Sequence, residues 1–226
     1  MRLDNKVRLE CQPGRIDEVG AHLLFAAQDR AVLNVGASGG VEYYLPDRAN
    51  LWLHARLDKV ASSLVGIDID TAAVAHAARY GWKIERANCE EARFERTFDM
   101  ILLVDVIEHV SNPGQTLDNL VGQLAPSGEL YITTPNPAFA GDLARALLGR
   151  GPSTYWDHVA SFAPEHLQAL CDRHGHTLAE VQFFSHRDRR NVQYQMKSIA
   201  IAALGRLNPR LNNSWLGVVR PGKAAT

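Results

Sequence analysis

The chain has 226 residues, 46% of them hydrophobic and 22% charged, which suits one globular domain, residues 1–226, with a substantial α/β core. A formal net charge of -1 supplies no field to recruit nucleic acid or an anionic membrane, so a purely electrostatic nucleic-acid partner is disfavoured. Cys11, Cys89 and Cys171 stand far apart without a C-x-x-C pair, which argues against a zinc site or a disulfide framework and for a cytoplasmic protein. Residues 1–10 carry charges throughout and lack the apolar core of a secretory signal, and no run reaches membrane-spanning length.

Residues 1–30 read as an N-terminal helical segment, because Ile16, Val19, Leu23, Leu24 and Ala27 recur at helical spacing between Arg15 and Gln28. Ala31 to Val35 is a short β-branched and aliphatic run that meets glycines at Gly36, Gly39 and Gly40, a buried strand stopping in a tight turn. Such a turn exposes bare main chain to a ligand at the carboxyl edge of a parallel sheet. A dinucleotide fingerprint would need a glycine two residues after Gly36, which the chain lacks, and the short-chain-dehydrogenase spacing meets Glu42. Tyr194 to Lys197 is one residue short of that family's catalytic pair, so an NAD(P)-dependent reductase ranks last.

Val41 to Asn50 reads as an irregular loop and Leu51 to Ser62 as a helix. Leu64 to Asp70 is an apolar strand ending in carboxylates, with Asp68 placed for ribose hydroxyls and Asp70 as N-cap of a helix from Thr71 to Tyr80 that Gly81 ends. Lys83 to Ala87 is a short strand running into Asn88-Cys89-Glu90. Phe98 to Val104 is apolar at almost every position, as an interior strand covered on both faces must be, and it meets Asp105 and then Glu108-His109. Pro113 opens a helix, and Pro126-Ser127-Gly128 is a turn feeding a strand from Glu129 to Thr134. Residues 137–164 form a lid or substrate-side insertion with a helix over Asp142 to Leu148. A helix from Pro164 to His174 follows, then strands at Thr177 to Phe184 and Trp215 to Val219, separated by a basic stretch, Ser185 to Arg190, and an apolar helix near Met196 to Leu207. His174 and His176 read as a surface turn, and no metal site is expected.

Asn34-Val35-Gly36-Ala37-Ser38-Gly39-Gly40 resembles the first motif of the class I S-adenosylmethionine-dependent methyltransferases, with Asn34 in place of the family's usual acid. Phe98 to Val110 resembles the family's fourth strand with its Glu-His ending, in the right order and separation from the first motif. Tyr155 to Leu167 resembles a further segment of the family, and Thr134-Pro135-Asn136-Pro137 is similar to the branch holding ubiquinone-pathway O-methyltransferases and methyltransferases of sugar, lipid and secondary metabolism. The resemblance implies a Rossmann-like, seven-stranded, mostly parallel sheet with helices on both faces and an antiparallel last strand. It implies S-adenosylmethionine as cofactor and S-adenosylhomocysteine as product. Asn34, Gly36, Ala37, Ser38 and Gly39 would form the cofactor turn, Asp68 and Ile69 the ribose site, Asn88, Cys89 and Glu90 the adenine edge, and Asp105 and Val106 the methionine side.

Methyl transfer to a hydroxyl also needs a proton acceptor, and His109 and His158 are the candidates. The expected acceptor is a small molecule bearing a hydroxyl: a sugar, lipid, quinone or secondary metabolite. A non-catalytic cofactor-binding or scaffold protein of the same fold is the second class.

Overall fold

The computed structural model describes residues 6–186 and 192–222. Eight strands form one sheet: β1 (Gly14–Arg15), β2 (Ala31–Val35), β3 (Ser63–Asp68), β4 (Glu85–Arg86), β5 (Phe98–Val104), β6 (Leu124–Pro135), β7 (His176–Phe184) and β8 (Ser214–Pro221). They lie in the order β1-β7-β8-β6-β5-β2-β3-β4, and only β8 runs antiparallel to its neighbours, β6 and β7. The helices are α1 (Val19–Ala26), α2 (Val41–Tyr44), α3 (Leu53–Leu57), α4 (Thr71–Arg79), α5 (Pro113–Val121), α6 (Ala140–Leu147), α7 (Pro164–His174) and α8 (Val192–Leu207). Strands β2 to β8 are the seven expected from the sequence, with the antiparallel strand last in the chain.

Strand β5 shows why its sequence is apolar from Met100 to Val104. Ile101 and Leu103 point to a core shared with Leu117 and Leu120 of α5 and Leu167 and Cys171 of α7. Met100 and Leu102 point the other way, onto Leu23 of α1 and Leu57 of α3. Successive side chains alternate across a strand, so helices on both faces leave no position for a polar residue between Met100 and the end of the strand at Asp105, while Asp99 at its start accepts from the Ala31 N–H at 2.9 Å. Four fully buried side chains in a row, at roughly 1.5–3 kcal/mol each, hold the strand at the centre of the sheet.

Several boundaries differ from the sequence expectation. The first helix begins at Val19 rather than Arg15, because Glu18 caps it by accepting from the Ala21 N–H at 3.1 Å. Residues 14 and 15 instead pair in parallel with Gln182 and Phe183, adding an eighth, edge strand. The expected loop after the glycine turn contains α2, and the expected helix from Leu51 shrinks to a 3₁₀ turn over Ala49–Leu51 followed by α3. The Pro126-Ser127-Gly128 turn lies inside β6: Phe98 pairs with Leu124 but Met100 with Glu129, so the residues between are bulged out of register. Of the expected basic stretch, residues 187–190 lie outside the described residues.

The bulge explains Gly128, whose added Cβ would sit 2.7 Å from the Phe98 carbonyl oxygen and 3.0 Å from the Ala125 nitrogen. Gly128→Ala is expected to destabilise the protein by about 1–3 kcal/mol in urea denaturation. An unchanged midpoint would show that the bulge yields without strain.

Candidate active site

The parallel strands β2, β3, β4 and β5 present their carboxyl ends at one edge of the sheet, where each chain segment must turn away into a loop or helix. A cavity of about 890 Å³ lies there. All twelve residues expected to touch the cofactor line it: Asn34 within β2 and Gly36, Ala37, Ser38 and Gly39 after it, Asp68 at the end of β3 and Ile69 after it, Asn88, Cys89 and Glu90 after β4, and Asp105 and Val106 after β5.

The turn after β2 depends on glycine. Gly36 has φ +70°, and a Cβ on it would lie 2.6 Å from Val106 Cγ2. Asp68 fixes the turn from β3: its Oδ2 accepts from the Ser38 N–H at 2.9 Å and its Oδ1 from the Asp70 N–H at 3.0 Å. Ser38 Oγ is buried without a hydrogen-bond partner among the described residues and belongs to the cavity wall. A bare main-chain cradle, a carboxylate beside it and an unspent buried hydroxyl fit a ligand carrying a ribose and a charged tail.

The residues expected at the adenine edge also bond within the protein. Asn88 Oδ1 accepts from the Glu90 N–H at 3.0 Å, and the Glu90 carboxylate accepts from the Ser111 and Asn112 N–H groups at 2.9 and 3.1 Å. Both side chains therefore shape the loop, tying it to the start of α5. Burial pushes the Cys89 thiol up to about 11, so its sulfur is inert at neutral pH.

Asp105 sits at φ +50°, an uncommon conformation for a residue with a side chain. Thr133 holds it, donating its hydroxyl to Asp105 Oδ1 at 2.9 Å while its carbonyl accepts from the Asp105 N–H at 3.0 Å. A second cavity of about 900 Å³ adjoins the first and shares one lining residue with it, Asp105. Its wall includes Glu108, Thr134, Asn136, Tyr155, His158 and Asn213. His109 lines the first cavity and His158 the second, with their rings perpendicular and 4.7 Å apart.

His109 Nδ1 lies 3.1 Å from the Asp157 carbonyl oxygen and 3.4 Å from its carboxylate. A carbonyl can only accept, so Nδ1 carries a proton and Nε2 is the ring nitrogen without a protein partner in that contact. The backbone N–H groups of Val159 and Ala160 donate to the Glu108 carbonyl at 3.0 and 3.2 Å, pinning the 156–160 segment over the end of β5.

Sequence reasoning missed three features of the walls. Glu108 is 1% exposed, with Oε2 accepting from the Thr134 hydroxyl at 2.9 Å and Oε1 without a partner among the described residues. Burial first, and then the charges of Asp105 and Asp157, push its carboxyl up to about 7. Glu108, His109 and His158 also offer one metal-capable atom each within 4.8 Å of one another, a grouping that His158's distance along the chain hid. Trp52 and His54 join the first cavity's wall from α3 and the residue before it, and no motif marked them. His174 and His176 bond instead to the Asp118 carboxylate at 2.8 and 2.9 Å, tying β7 to α5.

The methyltransferase-domain family matches residues 15–181 of this chain. The chain belongs to that family. As a class I methyltransferase it uses S-adenosylmethionine and releases S-adenosylhomocysteine. It is 24% identical over 194 residues to a ubiquinone biosynthesis O-methyltransferase from Colwellia psychrerythraea, spanning 76% of this chain and 74% of the relative. A solved S-adenosylmethionine-dependent methyltransferase from Archaeoglobus fulgidus shares the fold with TM-score 0.58 at 16% identity, covering 89% of this chain and 92% of that one. The N-methyltransferase NodS from Bradyrhizobium japonicum WM9, solved with S-adenosylhomocysteine, gives TM-score 0.54 at 14% identity over 91% of this chain and 85% of its own. Among the described residues of this methyltransferase, no helix is long and apolar enough to cross a membrane.

The raised Glu108 carboxyl makes stability pH-dependent. Between about pH 4.5 and 7 the folded protein keeps a proton that the unfolded chain releases, so this group's contribution is full below that window and lost as pH rises through it. In chelator-treated buffer Glu108→Gln should gain on the order of 3 kcal/mol relative to wild type between pH 4.5 and 8. A difference that stays flat across that range would show that Glu108 is ionised throughout.

Proposed function

We propose that this methyltransferase acts on a hydroxyl of a small-molecule acceptor seated in the second cavity, with His109 as the proton acceptor. One observation carries the reading: His109 Nδ1 is engaged by the Asp157 carbonyl at 3.1 Å, so Nε2 is the ring nitrogen left for an acceptor, at the junction of two cavities that meet at Asp105. When bound, the cofactor supplies an electrophilic sulfonium methyl. Residues 36–40 and Asp68 hold that ligand in the first cavity, and the 156–160 segment covers the junction and limits water. Residues 137–164 act as the lid on the acceptor side. Transfer of that methyl to an acceptor hydroxyl would leave S-adenosylhomocysteine, and His109 Nε2 is the group that takes the hydroxyl proton. His158, edge-on to His109, and Glu108, with its unpartnered oxygen in the second cavity, contact the acceptor itself. His158 is placed to relay the proton onward.

The ubiquinone-pathway relatives favour oxygen over nitrogen, and a quinone precursor, sugar, lipid or secondary metabolite is the acceptor class. The three cysteines are all unpaired thiols, which supports a reducing cytoplasm.

The test is a panel of phenolic, quinol and sugar acceptors incubated with methyl-labelled S-adenosylmethionine, with product mass and site read by mass spectrometry. His109→Ala should lower kcat by about 10²–10⁴ while S-adenosylhomocysteine affinity stays within about threefold. Methylation of amines only, or a His109→Ala enzyme with full kcat, would overturn the proposal. Separately, Asp68→Ala should weaken S-adenosylhomocysteine binding about tenfold or more by calorimetry, because the ribose acid and the anchor of the turn go together. Unchanged affinity would remove Asp68 from the site.

A further inference from the structure

Position 34 is where the family resemblance expects an acid, and the chain carries an amide there, 3% exposed in the middle of the sheet. Its nearest side-chain partner is His54, 4% exposed, with Asn34 Nδ2 and His54 Nδ1 3.1 Å apart. Both line the cofactor cavity. The fold is built around that ring: Trp52 and Trp82 pack on it with centroids 5.2 and 6.0 Å away. Gly66 leaves the space it occupies, since a Cβ there would lie 2.5 Å from His54 Cε1 and 3.1 Å from Nε2.

We propose that His54 is a positioning residue that orients the Asn34 amide, so that an uncharged amide–imidazole pair recognises the ammonium group at the amino-acid end of the cofactor. The proposal rests on the cofactor reading of this cavity. An amide nitrogen only donates, so the bond at 3.1 Å requires His54 Nδ1 to be the acceptor and places the ring proton on Nε2. The donor end of the amide is thereby spent on the ring, and Oδ1 is the end left for a ligand. The reversed amide would need a proton on Nδ1 and would turn two N–H donors toward a cation. Burial outweighs the nearby Asp58 charge and pushes His54 down to about 4, so the ring is neutral at pH 7 and adds no charge beside an ammonium. Burying a lone carboxylate next to such a ring would cost its desolvation, a cost the neutral pair avoids.

The experiment compares two ligands by calorimetry: S-adenosylhomocysteine, which has the ammonium, and 5′-methylthioadenosine, which lacks the amino-acid end. His54→Leu is expected to weaken the first about tenfold or more and the second by less than about twofold. His54→Asn, whose Oδ1 falls near the position of the imidazole Nδ1, should restore S-adenosylhomocysteine binding to within about threefold. Adding Asn34→Leu to His54→Leu should cost nothing further, because the two act as a unit. Nitrogen-15 spectra of His54 at pH 7 should show Nδ1 unprotonated. Equal weakening of both ligands would make His54 a wall residue only, and unchanged S-adenosylhomocysteine affinity or a protonated Nδ1 would likewise overturn the proposal. A wild-type protein that binds methylthioadenosine but not S-adenosylhomocysteine would overturn it too, whereas one that binds neither refutes the cofactor reading and this proposal with it.

Discussion

The carboxylate of Asp68 is the constraint on which the site depends. It stands at the end of β3 and spends one oxygen on the backbone of the glycine turn after β2 and the other on the approach to α4. Without it, among the described residues, a turn with left-handed residues at Gly36 and Gly40 would keep the Ala37 N–H to Ile67 carbonyl bond, at 3.0 Å, as its tie to the next strand. Fixing that turn fixes where Val106 can pack against it, and with Val106 the end of β5. A single acid thus aligns three of the loops that form the cofactor wall. In the proposed function the same two oxygens, through their remaining lone pairs, are also the ones offered to the ligand.

Much of this was visible in the residues, because a parallel sheet covered on both faces leaves its polar positions at strand ends. Asp68, Asp105 and the glycines stand out against apolar runs for that reason, and the sheet then has to gather them on one edge. Other features were hidden by the chemistry of side chains acting locally. Asn88 looks like a base-reading amide, but its oxygen is captured two residues along by Glu90, and Glu90 by the helix start beyond. Nothing in the spacing distinguishes an amide that reads a ligand from one that closes a turn. His54 was invisible for a different reason. Its significance comes from Gly66 and Trp82, which meet it only after the strands are paired. The edge strand at Gly14–Arg15 likewise needs β7 as a template, so helical spacing carried the expectation past it.

Buried polar atoms without partners cost about 1–3 kcal/mol each, and well-packed proteins keep few. Among the described residues three side-chain atoms are in this state: Ser38 Oγ, His76 Nε2 and Glu108 Oε1. One lines each of the two cavities, while His76 lies on α4 outside both. The pattern is that of a protein whose stability has been traded for a ligand at two adjoining places. The Thr134 hydroxyl steadies Glu108, the Thr133 hydroxyl steadies Asp105, and these adjacent residues of β6 support the strained end of β5 from one side.

The conformation of Asp105 has a meaning for the natural history of such a chain. Along β5 one aliphatic residue can replace another with a repacking cost and little else. Position 105 is a narrow gate by contrast, because at φ +50° a branched or bulky side chain collides with its own backbone. Glycine would enter freely but lose the acceptor that Thr133 holds. Asparagine would keep both the backbone shape and the oxygen. Lineages descending from this sequence are therefore expected to vary widely on either side of 105 and to alternate there between aspartate and asparagine, whatever acceptor each has come to methylate.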